Sequence, residues 1–585
     1  MKKLPIIDAF FLINESRRTP MHVGGCTLYT LPDGVDEIEF LHDVSSQLFT
    51  DQRLRHPFGK IVNMGKLGSF GPMYWDDDPQ FDMDYHLRHS ALPKPGRYRE
   101  LFALVSRLHG QLLDRQRPLW EMHLIEGLQN RQIATYFKMH HCAMDGVSSM
   151  HFTNSFYSAN PDDRMKYSPF SQEAYEAYKR TLGPRSPRRE PQLSDLSDLA
   201  AVSEFIREQL GSGINVAKAL GQFAGVWLGV GGNLEVFWHH MPHTPFNTKL
   251  SGARRFVAQT WAMDRVMRVA KAFGATFNDT ICGMVAGALR HYLVAAGQLP
   301  DKSMKTMAPV SFREKNDIDS ANAIGFITID LGTNEKDPAK RMDRIMASAQ
   351  AGKRQLKGMS KREVELYTAI THTPFLLSSL LGLGSKFPAV STVVSNVPGP
   401  SKQMYWNGAS VDGIYPTSIP FDGFALNFTL VTNNGGIDMG IMACRRSVPH
   451  VQRLIDYMEE ALVELEEAAG LTASASKEPT KQPGTKKPVA KKLGVKKSPA
   501  KKAPAKKQPA GKTPVEKTPV KKTPVKKTAA KKSTVKKPAV KKSPAKKAPV
   551  KKPPAKKAQA KAASATPAAE KPATTNPTPV APSAE

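Results

Sequence analysis

The chain has 585 residues, a formal net charge of +30 and four cysteines. A chain of this length holds two or three domains with sizeable cores. The charge suggests a nucleic-acid binder only until it is divided: residues 471–585 carry 32 lysines against four glutamates, while 1–470 carry 51 basic and 49 acidic residues, so any polyanion argument concerns the tail alone.

In chain order, the start Met1–Ile7 faintly imitates a signal peptide. Asp8 and then Glu15-Ser16-Arg17-Arg18 interrupt it, and no small-residue cleavage site follows. Met21–Tyr29 predicts a strand ended by Pro32-Asp33-Gly34, and Leu101–Leu113 a helix. Trp120–Ile125 predicts a strand closed by Gly127. Arg131–Met139 predicts another, with Ile133, Thr135, Phe137 and Met139 on one face, and it delivers the chain into His140 and His141. Pro184–Arg189 reads as a polar connector, and Ala201–Leu228 as one or two amphipathic helices bridging two halves. Met267–Phe273 is helical and stops at Gly274; Ile281–Leu293 is helical again. Short strands follow at Met307–Val310, Gly325–Leu331, Thr392–Ser395, Leu426–Val431 and Ile437–Met442, and a last helix, Val451–Ala469, ends at Gly470. The longest apolar stretch, from Pro374 to Leu383, is too short to span a bilayer.

These elements predict an α/β chain of two mixed-sheet halves with a helical connector. The expected boundaries are 1–182, a connector over 183–250, a second half over 251–470, and a tail over 471–585. The tail repeats Lys-Lys, a spacer and Pro, as in Lys501-Lys502-Ala503-Pro504-Ala505-Lys506-Lys507. With proline every few residues and little to bury, it is expected to be disordered.

The chemistry concentrates in His140-His141-Cys142-Ala143-Met144-Asp145-Gly146, an HHxxxDG pattern. A neutral imidazole can take a proton from an alcohol as its oxygen attacks an activated carbonyl, then pass that proton to the leaving group. Adjacent residues at a strand end point in opposite directions, so one histidine of the pair faces a cleft and the other is structural. Gly146 is expected to permit a tight turn into a helix beginning near Val147. Cys142 falls on the far side of the strand from His141, which argues against a thiol nucleophile. No third ligand accompanies His141 and Asp145 at useful spacing, and Cys26, Cys142, Cys282 and Cys444 form no metal pattern. The reading is therefore no metal site, and reduced thiols in the cytoplasm.

The motif resembles that of the acyl-CoA-dependent acyltransferase superfamily, and further segments narrow the resemblance. Met21-His22-Val23-Gly24, Arg117-Pro118-Leu119-Trp120-Glu121, Asn278-Asp279, Pro309-Val310-Ser311-Phe312-Arg313 and Ser395-Asn396-Val397-Pro398-Gly399-Pro400 stand in the order found in bacterial wax ester synthase/diacylglycerol acyltransferases. That resemblance implies two chloramphenicol acetyltransferase-like halves, with the base in a tunnel that acyl-CoA and acceptor reach from opposite faces. It implies His141 as the base, His140 as its support, and Asp145 as a carboxylate that shapes the loop through an arginine pair. It places Asn278 beside the site, where Asn278, backbone N–H groups or a water could stabilise the oxyanion. Without it, Thr276 and Asp279 read simply as helix caps, and Asn396–Pro400 as a rigid turn. Two departures are visible: Phe421-Asp422-Gly423-Phe424 stands where the family tends to small residues near a glycine, and the lysine tail is not a family feature.

The expected activity is transfer of a long-chain fatty acyl group to diacylglycerol or a fatty alcohol, with acyl-CoA as co-substrate and no cofactor. The tail is expected to hold the protein at an anionic inner membrane face or lipid droplet, or to bind nucleic acid nonspecifically. The rival readings are transfer to an amine or carrier-bound acceptor, and a non-catalytic polyanion-binding or granule-organising protein.

Overall fold

The computed structural model describes residues 2–49, 53–64, 71–182, 214–311, 324–359 and 361–471. The lysine tail, the polar connector and Phe312-Arg313 lie outside these residues. The chain begins with β1 (Lys2–Lys3), α1 (Ile6–Asn14), β2 (His22–Thr30), α2 (Glu37–Leu48), β3 (Lys60–Asn63), β4 (Tyr74–Asp77), α3 (Met83–His86) and β5 (Leu87–Ala91). It continues through α4 (Tyr98–His109), β6 (Trp120–Glu126), β7 (Gln132–His140), α5 (Gly146–Asn154), α6 (Gln172–Thr181) and α7 (Ile214–Trp227). Then come β8 (Arg254–Ala262), α8 (Met263–Phe273), α9 (Phe277–Ala295), β9 (Lys305–Ser311), β10 (Ile324–Asp330), α10 (Pro338–Leu356) and α11 (Lys361–Leu380). The body closes with β11 (Thr392–Val397), β12 (Tyr405–Trp406), β13 (Ala409–Thr417), β14 (Leu426–Asn433), β15 (Gly436–Cys444) and α12 (Arg453–Ala468).

Two six-stranded mixed sheets dominate, in the orders β12-β13-β2-β7-β6-β5 and β10-β9-β11-β14-β15-β8. In the first, only the β5–β6 pair is parallel; in the second, β11 runs parallel to both β9 and β14. The β2–β7 ladder is antiparallel and ends where His22 pairs with His140, so the HHxxxDG segment leaves from the closed end of a central strand. Period-2 alternation explains these strands, but β14 is buried on both faces (Leu426, Phe428 and Leu430 on one, Asn427 and Thr429 on the other), as a central strand must be. Helix α9 is buried along most of its length, and Gly287 is there because a Cβ would come within 2.5 Å of Ala461 on α12.

The two sheets are joined by β13. It comes from the second half of the sequence but pairs with β2, Ser410 opposite Thr30 and Thr417 opposite Gly24. Its register shifts between Val411 and Gly413, and the N–H of Ile414 just after the bulge donates to Asp438 Oδ2 on β15 at 2.8 Å. Asp438 is 1% exposed and also accepts from Thr260 Oγ1 at 2.6 Å and Asn433 Nδ2 at 3.0 Å. Two strands of different sheets thus share one carboxylate. Beside it, a Cβ on Gly440 would collide with the carbonyl oxygen of Pro416 and lie 3.0 Å from Phe256, so only glycine lets the sheets meet.

The apolar start forms α1, whose Leu12 is buried and whose Phe10 and Phe11 pack inward. Gly440→Ala is predicted to cost about 1–3 kcal/mol, because the added methyl meets main chain that cannot yield. Gly25→Ala, whose Cβ would meet only Tyr415 O at 3.9 Å, is the control and should stay within about 0.5 kcal/mol in the same thermal or denaturant melt.

Candidate active site

β7 ends at His140, and the next five residues turn the chain into α5. Asp145 is the N-cap of that helix: its Oδ1 accepts from Ser148 N at 2.7 Å. A carboxylate there is favoured by the free N–H groups and the helix dipole, so it shapes the loop. The turn role read for Gly146 is not what the structure shows. Gly146 is the first residue of α5, its φ lies outside the left-handed region, and its open side faces Val397 Cγ2 at 3.4 Å from an added Cβ. A methyl group there would meet β11 only at ordinary contact distance.

The two histidines diverge, as strand geometry requires. His140 is fully buried. Its Nδ1 accepts from Cys142 N at 3.2 Å, which leaves the proton on Nε2, 3.5 Å from Glu15 Oε1. His141 is half-buried, its N–H donates to Met21 O at 2.8 Å, and its ring lies flat on Phe11 with centroids 4.1 Å apart. Its Nδ1 is sealed from solvent with no hydrogen-bond partner among the described residues. Burial holds the imidazole below its ordinary pKa of 6.5; the Asp145 carboxylate and the residue's own main chain oppose that fall without reversing it, and His140 adds to it. His141 is therefore a neutral imidazole at neutral pH. Cys142 is buried among Leu12, Trp75 and Leu119, and burial raises its thiol well above the ordinary value, so it is no nucleophile at neutral pH.

The second half reaches the motif loop through α9 and β11. Thr276 and Asp279 form a capping box at the start of α9, and Asn278 between them is exposed. Asn278 Oδ1 accepts from Asn396 Nδ2 at 3.0 Å, and Val397, next along β11, is the residue facing Gly146. The structure thus brings His140, His141, Asp145 and Gly146 together in one loop, and reaches Asn278 through Asn396 and Val397. Asn396 Oδ1 is buried without a hydrogen-bond partner among the described residues. The turn after it is rigid: Gly399 N donates to Thr432 Oγ1 at 3.2 Å.

Comparison with known proteins decides the family. Residues 4–281 match the wax ester synthase/diacylglycerol acyltransferase catalytic domain, and 320–466 the corresponding C-terminal domain. The chain belongs to the wax ester synthase/diacylglycerol acyltransferase family. It is 40% identical over 470 residues to the probable diacylglycerol O-acyltransferase tgs2 of Mycobacterium tuberculosis, covering 79% of this chain and 98% of that one. It is 35% identical over 465 residues to the O-acyltransferase WSD of Acinetobacter baylyi, covering 79% and 96%. Among solved structures, the wax ester synthase/diacylglycerol acyltransferase from Marinobacter aquaeolei VT8 superposes with a TM-score of 0.63 at 34% identity, over 80% of this chain and 100% of that one. Residues 465–585 match a family of histone H1-like nucleoproteins.

Within this family member, sequence reasoning missed Glu15, which it read only as a charge interrupting an apolar start. Glu15 is 2% exposed at its side chain and sits at the end of α1. Oε2 accepts from Arg115 Nε and Nη2 at 3.2 and 3.1 Å, and Oε1 from Met21 N at 3.1 Å, while His140 stands beside it. Burial alone would raise its pKa, yet His140, Met21 and Arg115 together hold it below the usual value, so it is ionised. One buried carboxylate therefore fixes His140 directly and His141 through the Met21 peptide. No spacing rule could have linked it to a motif so far along the chain.

Glu15→Ala would strand Arg115, His140 and the Met21 N–H around a void. It is predicted to lower kcat/KM by about 10- to 100-fold, the scale of a base displaced by an ångström, measured as acceptor-dependent CoA release. Glu15→Gln, which keeps the shape and part of the bonding, should recover part of that loss.

Proposed function

We propose that this protein transfers a long-chain fatty acyl group from acyl-CoA to the hydroxyl of a diacylglycerol or a fatty alcohol, making triacylglycerol, wax ester or both. The observation that carries the reading is His141: a half-buried, neutral imidazole with Nδ1 sealed off, in a chain of this family. Nε2 is then the ring nitrogen left to meet a substrate. It accepts the proton as the hydroxyl oxygen bonds to the thioester carbonyl carbon. When the tetrahedral intermediate collapses, the C–S bond breaks, and His141 returns the proton to the departing CoA thiolate. General-base help of this kind is worth about 10²–10⁴ in rate. The transfer needs no cofactor and no acyl-enzyme.

His140 and Asp145 act on the position of His141, the first through Glu15 and the second through the start of α5. We assign Asn278, with Asn396 behind it, to the substrate side, because this amide pair is what the second half presents next to the motif loop. The tail we read as a tether to polyanionic surfaces. Each lysine near an anionic membrane contributes about 1 kcal/mol. The similarity of 465–585 to a histone H1-like nucleoprotein favours nucleic acid as the second occupant; that binding would be nonspecific, since the tail offers no aromatic residue to stack on bases.

The test is CoA release from palmitoyl-CoA by the purified chain with dioleoylglycerol, with hexadecanol, or with neither. Release that requires an acceptor is expected, and His141→Ala should reduce it at least about 100-fold while the thermal melt is retained. Near-normal release by that variant would sink the assignment. The pH profile is a separate check. Because the base must be neutral and burial depresses its pKa, kcat/KM should stay level as pH falls to 6.5 and drop only below it. An acid limb centred at or above neutrality would contradict the buried-base reading.

A further inference from the structure

Helix α11 carries a second apolar face, turned outward, besides the one that buries Leu366, Tyr367 and Phe375. Ile370, Pro374, Leu377 and Leu381 follow one another at helical spacing through α11 and into the turn after it, and all are exposed; Leu377 is 52% and Leu381 69% accessible. Thr371 and His372, by contrast, are buried. Leu380 and Phe387 extend the exposed stripe.

α7 lies alongside α11. Phe223 of α7 lines one small cavity with Tyr367, Thr371 and His372 in the middle of α11, so the two helices pack side by side there. α7 and its turn expose Trp227, Leu228 and Val230. The segment between ties both ends together: the Trp227 ring lies 5.4 Å from that of His239, and Trp238 Nε1 donates to Phe387 O at 3.0 Å. Large apolar side chains exposed together in this way mark a binding surface.

Two observations say what binds. First, residues 214–234 and 366–388 contain no acidic side chain, and their charged residues, Lys218 and Lys386, are both exposed. An apolar face free of acidic side chains over these stretches, with Lys386 beside Phe387 and the nearby Glu235 paired to Lys305, suits a lipid interface rather than a mixed-charge protein surface. Second, the patch is continuous with the candidate base. Phe375 on α11 contacts Phe421 at 5.7 Å between centroids, Phe421 stacks on Phe10 at 6.4 Å, Phe10 meets Phe11 at 5.9 Å, and Phe11 covers His141. Phe421 and Phe424, the sequence's departure from family habit, belong to this seam.

We propose that the exposed ends of α7 and α11 dock on the surface of a lipid phase that carries the acceptor, and that the seam of phenylalanines leads from that surface to His141. The proposal rests on the acyltransferase reading for its substrate. It places the lipid contact on the folded body, independent of the lysine tail.

The experiment uses the full chain and a Leu377→Ser/Leu381→Ser/Phe387→Ser variant, with zwitterionic phosphatidylcholine vesicles containing dioleoylglycerol, in salt concentrated enough to screen the tail. The unaltered protein should float with the vesicles. The variant, with an unchanged melt, should partition at least about tenfold more weakly, since each leucine or phenylalanine lost from an interface removes a sizeable apolar contact. Its KM for vesicle-borne dioleoylglycerol should rise by a similar factor, while CoA release with octanol dissolved below its solubility limit stays the same. Equal flotation of the two proteins, or no flotation of either, overturns the proposal. So does a variant that floats normally but changes from dimer to monomer by light scattering, which would give the patch to a second copy of the chain. Failure of both proteins on octanol and on dioleoylglycerol would count against the enzymatic reading, while flotation alone would still decide the docking surface.

Discussion

The molecule depends on one shared carboxylate. Asp438 belongs to the second sheet, yet it receives the Ile414 N–H of a strand that pairs into the first. Burial raises its pKa to about 6, the mark of a charge kept out of water to hold two pieces of backbone together. Three donors offset that cost. Everything at the motif inherits this junction. β13 holds β2, β2 holds β7, and β7 ends at His140. The position of the HHxxxDG loop relative to the second half is thus set by strand ladders, and only then refined by the packing of Val397 against Gly146.

A second buried carboxylate, Glu15, works on a shorter range. It is surrounded by a guanidinium, an imidazole and a peptide N–H, so little of its desolvation is left uncompensated. Its effect on His141 is indirect: the same Met21 residue donates its N–H to Glu15 and lends its carbonyl to the His141 N–H. His140 is fully buried, with one ring nitrogen on Cys142 N and the other 3.5 Å from Glu15 Oε1, while the second histidine of the pair is half-open. The division of labour in HHxxxDG therefore follows from where the strand end points each ring.

Much of this was legible in the sequence where the signal was local. β2, β6 and β7 declared themselves by alternation and by the turn residues that close them. The end of α8 lay at Gly274, which has a φ of +64°, and Thr276 with Asp279 formed the capping box expected of them. The illegible parts are nonlocal. Nothing around Ser410 announces that it will pair with Thr30, and nothing around Glu15 announces His140. Gly146 shows the same thing: the side chain its open side faces, Val397, lies far along the chain, and its φ is not the left-handed one a turn would need. Of the expected helical connector, Ile214–Trp227 lies within the described residues and is helical.

Amphipathic periodicity has a blind spot that α11 exposes. A helical stripe of leucines tells where the apolar face is, but is silent on whether that face turns toward the core or away from it. In a protein whose substrates are themselves apolar, both choices can be stable, because the outward face has somewhere to go. The inward face of α11 buries Leu366, Tyr367 and Phe375 together with Thr371 and His372, and burial drives the histidine's pKa down to about 4, so it sits there neutral against Phe237 and Phe326. A helix that fills its core with these side chains and still shows leucines to solvent carries two apolar faces. The outward one is economical only if it has a second apolar phase to enter, and the ring contacts from Phe375 to Phe11 place the candidate base at the far end of that phase's reach.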